Sequence, residues 1–171
     1  MDSPLDLTLP PTYPTLDQGA DTNWDEAAFA LYSMVALPPD ELSNLLSTLN
    51  REWKQNMTDE APPLVQTPAV YNFAGHSLRE VVQAHTTLDK GFTPRDNGGA
   101  EGNIQWYPTA FIVVTSRDWE DKGLLFTYAD EDHQFAMDRF FFKIEDAYLM
   151  LSSLNFGDET HSSCKENYGM A

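Results

Sequence analysis

The chain has 171 residues, of which 42% are hydrophobic and 12% aromatic, a content typical of one folded globular domain. Lys and Arg number 10 against 27 Asp and Glu, which gives a formal net charge of −17. A charge of this size repels nucleic-acid backbones and anionic membrane surfaces, so it argues against direct binding to either. Cys164 is the only cysteine, which excludes an intrachain disulfide.

The sequence contains no recognisable targeting or membrane segment. Residues 1–6 have neither the basic start nor the apolar core of a signal peptide, and no apolar run approaches the roughly 18–20 residues of a membrane span. We therefore expect a soluble, intracellular protein located in the cytoplasm.

The acidity is strongest in the first fifty residues. They hold eight carboxylates and no Lys or Arg, and the first basic residue is Arg51. This pattern fits an electrostatic surface for a basic partner. It also fits a solvated acidic face with no partner, and most runs of like charge in proteins are of this second kind.

Prolines and helical patterns organise the N-terminal part of the chain. Four prolines in residues 1–20 predict an extended or loosely ordered segment. Asn23, with Glu26 three positions later, predicts a capped helix that runs to Val35. A second helix begins near Pro39, and its apolar stripe must face a core or a partner. The stripe consists of Leu42, Leu45, Leu46, Leu49 and Trp53.

A linker, a short strand and a short helix precede the predicted sheet. Residues 58–69 are a proline-rich linker, and residues 70–73 have a strand-like composition. Ser77 opens a second capping-box pattern and therefore a helix. Residues 89–103 carry four glycines and predict a long surface loop.

Three apolar segments then predict strands at 111–115, 124–128 and 140–144. The polar turn at 130–133 predicts that the last two strands form an antiparallel hairpin. Because the third strand is apolar on both faces, we expect it to be central and covered on each side by helices. A capped helix at 145–156 closes the pattern.

Together these elements predict a single-domain α+β fold: a small, mostly antiparallel sheet, built largely from residues 106–144, with packed helices. The α+β domain would span residues 21–157. Within it we expect a helical part, a linker and a part made of a helix and the sheet, at 21–57, 58–69 and 70–157. The loosely ordered segment would be residues 1–20, and residues 158–171 would be a flexible tail.

The loops and histidines do not match a known ligand-binding motif. The glycine-rich loop at 98–102 lacks the Lys-Ser/Thr of a phosphate-binding loop. Residues 130–133 lack the glycine and terminal glutamate of a calcium loop. His76 and His85 lie nine residues apart at opposite ends of one helix, so they cannot form a zinc pair. We therefore expect neither a metal nor a cofactor.

Two residues could act as nucleophiles. Ser77 lacks the surrounding glycine pattern of a nucleophile elbow and fits a helix cap better. Cys164 lies in the polar C-terminal segment, which makes it a poor nucleophile. The sequence leaves the catalytic residues unknown and favours a protein that is not an enzyme.

The best candidate contact site follows the first predicted strand. Arg117, Asp118 and Trp119 stand at a strand end, and Trp and Arg are enriched in binding hot spots. Trp106 and Tyr107, just before that strand, complete the candidate binding set. The alternative, which is the commoner arrangement, is that Trp119 packs over the sheet and Arg117 pairs with a carboxylate.

The second half of the chain is similar to one protein family. The family has an apolar strand, a second strand, an aromatic-basic strand and a helix, and the corresponding segments here are 111–115, 124–130, 139–143 and, for the end of the helix, 154–156. Residues 24–28 resemble an early acidic helix of the family that contains a tryptophan. The family consists of small acidic proteins from fungi and actinobacteria that are known only as a domain of unknown function. The resemblance covers residues 111–159, and it implies a fold and a fungal origin but no activity.

Two functional hypotheses follow. The first is a non-enzymatic acidic binding or regulatory protein that recognises a basic protein partner. The second is a small accessory enzyme or small-molecule-binding protein of a fungal metabolic pathway, with an apolar aromatic pocket beside the sheet. The aromatic residues that could line such a pocket are Trp106, Tyr107, Trp119, Tyr128 and Phe140.

Overall fold

The computed structural model describes residues 5–12, 22–23, 28–57, 63–87, 102–103, 106–130, 134, 136–156 and 158–170. The strands in this part of the chain are β1 (Thr22–Asn23), β2 (Ala28–Ser33), β3 (Val65–Gln66), β4 (Gly102–Asn103), β5 (Trp106–Val114), β6 (Leu124–Asp130) and β7 (Ala136–Phe142). The helices are α1 (Pro39–Asn56), α2 (Leu78–His85), α3 (Trp119–Lys122), α4 (Ala147–Asn155) and α5 (His161–Tyr168).

Five of the strands form one mixed sheet in the order β3-β2-β5-β6-β7. The antiparallel part is β5-β6-β7, which is the sheet that the sequence predicts. β2 adds two parallel pairings, one with β3 and one with β5, and β1 pairs separately with β4. The predicted α+β single-domain fold is confirmed.

The predicted helix from residue 23 to residue 35 is wrong over its described core, because residues 28–33 form strand β2. All six residues of β2 are buried, since the strand lies between β3 and β5 and is covered on both faces. A strand buried on both faces is a continuous apolar run without alternation, and such a run cannot be told from a buried helix by its period. Residues 24–27 lie outside the described part of the chain.

The predicted stripe of α1 is confirmed. Four of its five members are buried in one apolar cluster, and Leu46 packs against that cluster. We call this side of the sheet the first face. α4 and α5 cover the same face, with Met150, Leu151 and Cys164 in the same cluster. The first face is therefore covered by α1, α4 and α5, together with Trp119 of the short helix α3.

Asn50 fixes the edge strand β3 to α1. Its side-chain amide donates to the Val65 carbonyl at 3.0 Å, and its side-chain oxygen accepts from the Val65 amide at 2.9 Å. The buried amide of Asn50 thus satisfies one donor and one acceptor of a two-residue strand, which has few ladder bonds of its own.

The opposite side, which we call the second face, is covered by α2 and by residues 5–12. Ser77 and Glu80 form the predicted capping box at the start of α2. Leu5, Leu7 and Leu9 pack against the second apolar cluster, beside residues of α2. This part of the N-terminal segment is therefore packed on the domain.

The prediction that the third apolar strand is central is wrong, because β7 is the last strand of the sheet. Its two faces are apolar as expected: Phe140 and Phe142 face the first cluster and Phe141 packs against the second. Segments from both ends of the chain take the place of a further strand. The bridges join Thr12 to Ala136 and Phe142 to Gly169.

Two other described segments differ from the sequence prediction. Residues 161–168, expected to belong to a flexible tail, form α5, which begins at a Thr160 cap and buries Cys164 completely. Residues 70–73 form one bridge, between Asn72 and Ser33, in place of a strand. The helix predicted at 145–156 is confirmed, with a 3-10 turn at Ile144–Asp146 before α4. Among the described helices, none combines the length and apolar composition needed to cross a membrane.

Candidate functional site

The five predicted contact residues lie at opposite ends of β5. Trp106 and Tyr107 begin the strand, while Arg117, Asp118 and Trp119 follow its end. Because Trp106 pairs with Ala28 and Val114 pairs with Ser33, β5 runs beside the six residues of β2 and spans about 17 Å, which separates the two groups. They are two separate places on the molecule.

The group after β5 has one buried and two exposed members. Trp119 is only 6% exposed and belongs to the core of the first face. Arg117 donates from Nη2 to Oε1 of Glu41 at 2.8 Å and ties this loop to the start of α1. Asp118 is exposed beside them. Trp119 therefore packs on the sheet and Arg117 pairs with a carboxylate, which is the arrangement considered above as the alternative to a contact site.

The group at the start of β5 is packed into both faces. The Tyr107 ring stacks on Phe29, with 4.1 Å between ring centroids and 6° between planes. Trp106 is partly buried and packs against the second apolar cluster. Both aromatic side chains therefore have structural contacts in the folded protein.

His85 forms a buried polar link that the sequence did not reveal. Its Nε2 lies 2.6 Å from the carbonyl oxygen of Tyr107, and its Nδ1 lies 2.8 Å from the hydroxyl of Tyr32. Because a carbonyl can only accept, Nε2 carries the proton and donates, and Nδ1 accepts from the Tyr32 hydroxyl. Burial lowers the pKa of His85 to about 4, so the ring is neutral at neutral pH. This link joins α2 to β2 and β5.

A second polar cluster joins α5 to the sheet. Oδ2 of Asp138 accepts from Nζ of Lys165 at 2.7 Å and from the Tyr128 hydroxyl at 3.2 Å. Burial alone would raise the pKa of Asp138, but the hydrogen bonds from Lys165 and the Arg139 amide hold it below its ordinary value. Burial and the Asp138 charge raise the pKa of Tyr128 well above its ordinary value, so the hydroxyl stays protonated and is a weak acid. The His161 ring packs 5.2 Å from the Tyr128 ring.

The possible nucleophiles have structural positions. Burial, followed by the nearby Glu159 carboxylate, raises the pKa of the Cys164 thiol to about 12, so the thiol stays protonated. The Ser77 hydroxyl accepts from the Glu80 amide as the predicted helix cap. His76 contacts Glu80 on the surface.

No group of three His, Cys, Asp or Glu side chains within the described ranges could hold a metal ion. Asp130 ends β6, but residues 131–133 of the predicted polar turn lie outside those ranges. Most of the glycine-rich loop at 98–102 also lies outside them.

The fold brings carboxylates together at one end of the sheet. β2 and β5 are parallel and end there, β6 begins there, and β7 ends there because Leu124 pairs with Phe142. α1, α3 and the 3-10 turn before α4 start from these strand ends, and each has two acidic residues in its first turn. We call these six residues the acidic end: Asp40, Glu41, Glu120, Asp121, Glu145 and Asp146.

Carboxylates in a first turn stabilise the helix by interacting with its dipole, which accounts for each pair separately. The convergence of three such starts has an additional effect. Arg117, Lys122 and Lys143 lie at the same end, but the six carboxylates outnumber these three cations and add to a common negative field. Glu120, Asp121 and Glu145 are exposed to solvent. The acidic end can therefore attract a cationic group but holds no set of residues arranged for bond making or breaking.

Comparisons of this chain with protein-family models, with curated proteins and with solved structures found no match. The resemblance of residues 111–159 to the fungal and actinobacterial family stays a prediction. The function is therefore inferred from the geometry of this chain itself.

Proposed function

We propose that the protein is a non-enzymatic acidic binding or regulatory protein that recognises a basic protein partner in the cytoplasm. The observation that carries this proposal is the acidic end, where three helical starts place six carboxylates at one end of the sheet. A partner with clustered Lys and Arg would be steered to this field and would be bound more weakly at high salt.

The charge balance of the chain supports the same proposal. Lys and Arg are outnumbered 10 to 27 by acidic residues. Within the described residues, the protein itself holds three of these cations: Arg117 by Glu41, Lys165 by Asp138, and Arg139 by the carbonyl of Leu7. Neutralising the remaining negative surface therefore requires cations from solution or from a partner.

The positions of the chemically versatile side chains support a binding role over an enzymatic one. His85 is buried and uses both ring nitrogens in hydrogen bonds, and the Cys164 thiol is buried and protonated. Ser77 caps a helix. Each of these residues has a role in the fold that accounts for its position.

The alternative of an aromatic small-molecule site has less support. Four of the five aromatic residues considered for it belong to the packed cluster of the first face: Tyr107, Trp119, Tyr128 and Phe140. Trp106 packs on the other side of the sheet. These rings would have to line the walls of a pocket, but they pack against the core instead, and this packing accounts for their burial.

The proposal is tested by capturing partners from the organism that encodes the chain and by measuring the affinity of the purified partner. We expect a partner rich in Lys and Arg, with an affinity that falls as salt rises. The double variant Glu120→Gln/Glu145→Gln should weaken binding by roughly fivefold or more at low salt, because it removes two carboxylates of the acidic end.

The matched control is Glu52→Gln/Glu166→Gln, which changes the net charge equally at exposed positions outside the acidic end. It should bind the partner within about twofold of the wild type. Equal weakening by both variants would show that total charge, and not the acidic end, determines binding. A partner whose binding is unaffected by salt would overturn the proposed function.

A further inference from the structure

The outer face of α4 leaves large apolar side chains in solvent. Leu149 is 58% exposed and Phe156 is 56% exposed, and within the described residues only Val70 is another large apolar side chain with this degree of exposure. Leu149 and Phe156 are seven positions apart, so they lie on the same side of the helix about 10 Å apart along its axis. Ser153 lies between them at helical spacing.

Carboxylates lie at both ends of this apolar pair. Glu145, which is exposed and belongs to the acidic end, precedes Leu149 by four positions. Asp158 follows Phe156, and its backbone amide donates to the Ser153 carbonyl at 2.8 Å, which places it beside the same stripe. We call these five residues the α4 stripe: Glu145, Leu149, Ser153, Phe156 and Asp158.

Phe156 is held in position by the neighbouring helix. Its ring stacks on Trp53 of α1, with 5.9 Å between centroids and 28° between planes, and Trp53 is itself only 5% exposed. One side of the Phe156 ring thus rests on Trp53 while much of the ring stays exposed to solvent. Such a side chain needs little rearrangement to bind a partner, which limits the entropy cost of docking.

The charge pattern distinguishes between the candidate occupants of the stripe. A second copy of this chain would bring another net charge of −17 to a surface already bounded by carboxylates, and that repulsion opposes self-association. Residues 143–159 contain four carboxylates and one lysine, Lys143. A partner that is complementary to this surface therefore presents two apolar side chains with cations on either side of them.

We propose that the α4 stripe is the docking face for a basic amphipathic helix of a partner protein, an inference that rests on the proposed function. Two apolar side chains of that helix pack on Leu149 and Phe156, and Lys or Arg near its ends face Glu145 and Asp158. This is the helix-on-helix mode of peptide recognition, in which apolar anchors at helical spacing give affinity and flanking charges fix orientation.

The test is selection of binders from a displayed library of random 16-residue peptides, followed by affinity measurements on individual peptides. We expect selected peptides to carry Lys or Arg around apolar residues at helical spacing. They should bind Leu149→Ser, and Leu149→Ser/Phe156→Ser, about tenfold more weakly than the wild type, because an apolar anchor site is lost. Val70→Ser is the matched control, since Val70 is 69% exposed elsewhere, and it should stay within about twofold.

The other outcomes separate this inference from the proposed function. Basic peptides that bind Leu149→Ser as well as the wild type would overturn the α4 stripe and leave the acidic end as the site. Selected peptides without Lys or Arg, or a failure to select any peptide, would overturn the stripe as a docking face for a basic helix. The single Leu149→Ser variant keeps the stacking of Phe156 on Trp53, so its result does not depend on that contact being dispensable.

Discussion

The two faces of the sheet are closed by different kinds of interaction. On the first face α1, α3, α4 and α5 cover a continuous apolar cluster, and the Phe126 ring lies within 6.4 Å of the rings of Phe29, Phe140 and Phe142. On the second face one eight-residue helix and the extended residues 5–12 cover a smaller cluster. There the His85 ring links three elements by two buried hydrogen bonds.

This difference has a physical consequence. Apolar packing is non-directional and does not depend on pH, so the first face should respond mainly to lost volume. Buried hydrogen bonds are directional, and the neutral imidazole on the second face can take up a proton when the chain unfolds. The second face should therefore be the part of the domain that acid and single polar substitutions loosen first.

The largest effect should come from Phe126→Ala on the first face. Phe126 is fully buried and contacts several rings, so the substitution should lower the free energy of unfolding by about 3–5 kcal/mol. Urea denaturation at neutral pH measures this. Leu149→Ala, on the exposed side of α4, is the control and should change the free energy by less than about 0.5 kcal/mol. A small loss for Phe126→Ala would contradict the view that this face depends on its packed volume.

His85 should make the stability of the second face depend on pH. Its pKa is about 4 in the folded protein, against an ordinary value of 6.5, so the unfolded chain binds the proton more readily. Its contribution is complete above pH 6.5 and is lost as the pH falls towards 4, by about 3 kcal/mol in total. His85→Gln keeps one donor and one acceptor but does not titrate.

The measurement is the free energy of unfolding of the wild type and of His85→Gln at pH 7, 5 and 4. The wild type should lose more stability than the variant on acidification, and hydrogen exchange should increase first in α2. Parallel curves for the two proteins would mean that His85 does not titrate differently in the folded and unfolded chains.

Thr127→Val should stabilise the second face. Thr127 lies between Phe111 and Arg139 in the sheet, is fully buried, and its hydroxyl has no hydrogen-bond partner in the described structure. A buried unpaired hydroxyl costs free energy that a methyl group of similar size does not, so we expect a gain of about 1 kcal/mol. Thermal and urea denaturation would show it. Destabilisation would instead indicate that an ordered water satisfies the hydroxyl.

The smallest effect should follow Arg139→Met. In the wild type Nε of Arg139 donates to the Leu7 carbonyl oxygen at 2.8 Å, and the substitution removes this donor but keeps an apolar stem. We expect a loss of about 0.5–1 kcal/mol, because one partly buried hydrogen bond is removed. Hydrogen exchange should rise in residues 5–12 and stay unchanged in α4. An increase spread over both faces would show that this contact supports the whole domain.

The sequence predicted the elements whose signal is local. The stripe of α1 from Leu42 to Trp53, the Ser77 cap and the strands of the antiparallel part are all in place, because helical period, capping and apolar runs depend on near neighbours. For the same reason, the apolar run that forms β2 has the local pattern of a buried helix. Its burial on both faces is set by β3 and β5, which lie far away in sequence.

The candidate site depended more heavily on distant contacts. Tyr32 and His85 are 53 residues apart, and no local pattern links them. Each carboxylate of the acidic end can be recognised in the sequence, but their convergence depends on the parallel pairing of β2 with β5. A helix predicted over residues 28–33 excludes that pairing. Arg117 and Trp119 were correctly located after a strand, while their contacts with Glu41 and the core follow from the tertiary fold.

The two bridges on the outer side of β7 have a consequence for the behaviour of the protein at high concentration. An uncovered strand at the border of a sheet offers free amides and carbonyls to other molecules and promotes aggregation. Here Pro11 accepts from the Met137 amide, and the Met170 amide donates to the carbonyl of Phe141. The segments that contain Pro11 and Met170 therefore cover part of this strand edge, and we expect proteolytic removal of either one to expose backbone groups of β7 and to increase aggregation most at high salt, where the repulsion between negatively charged copies is screened.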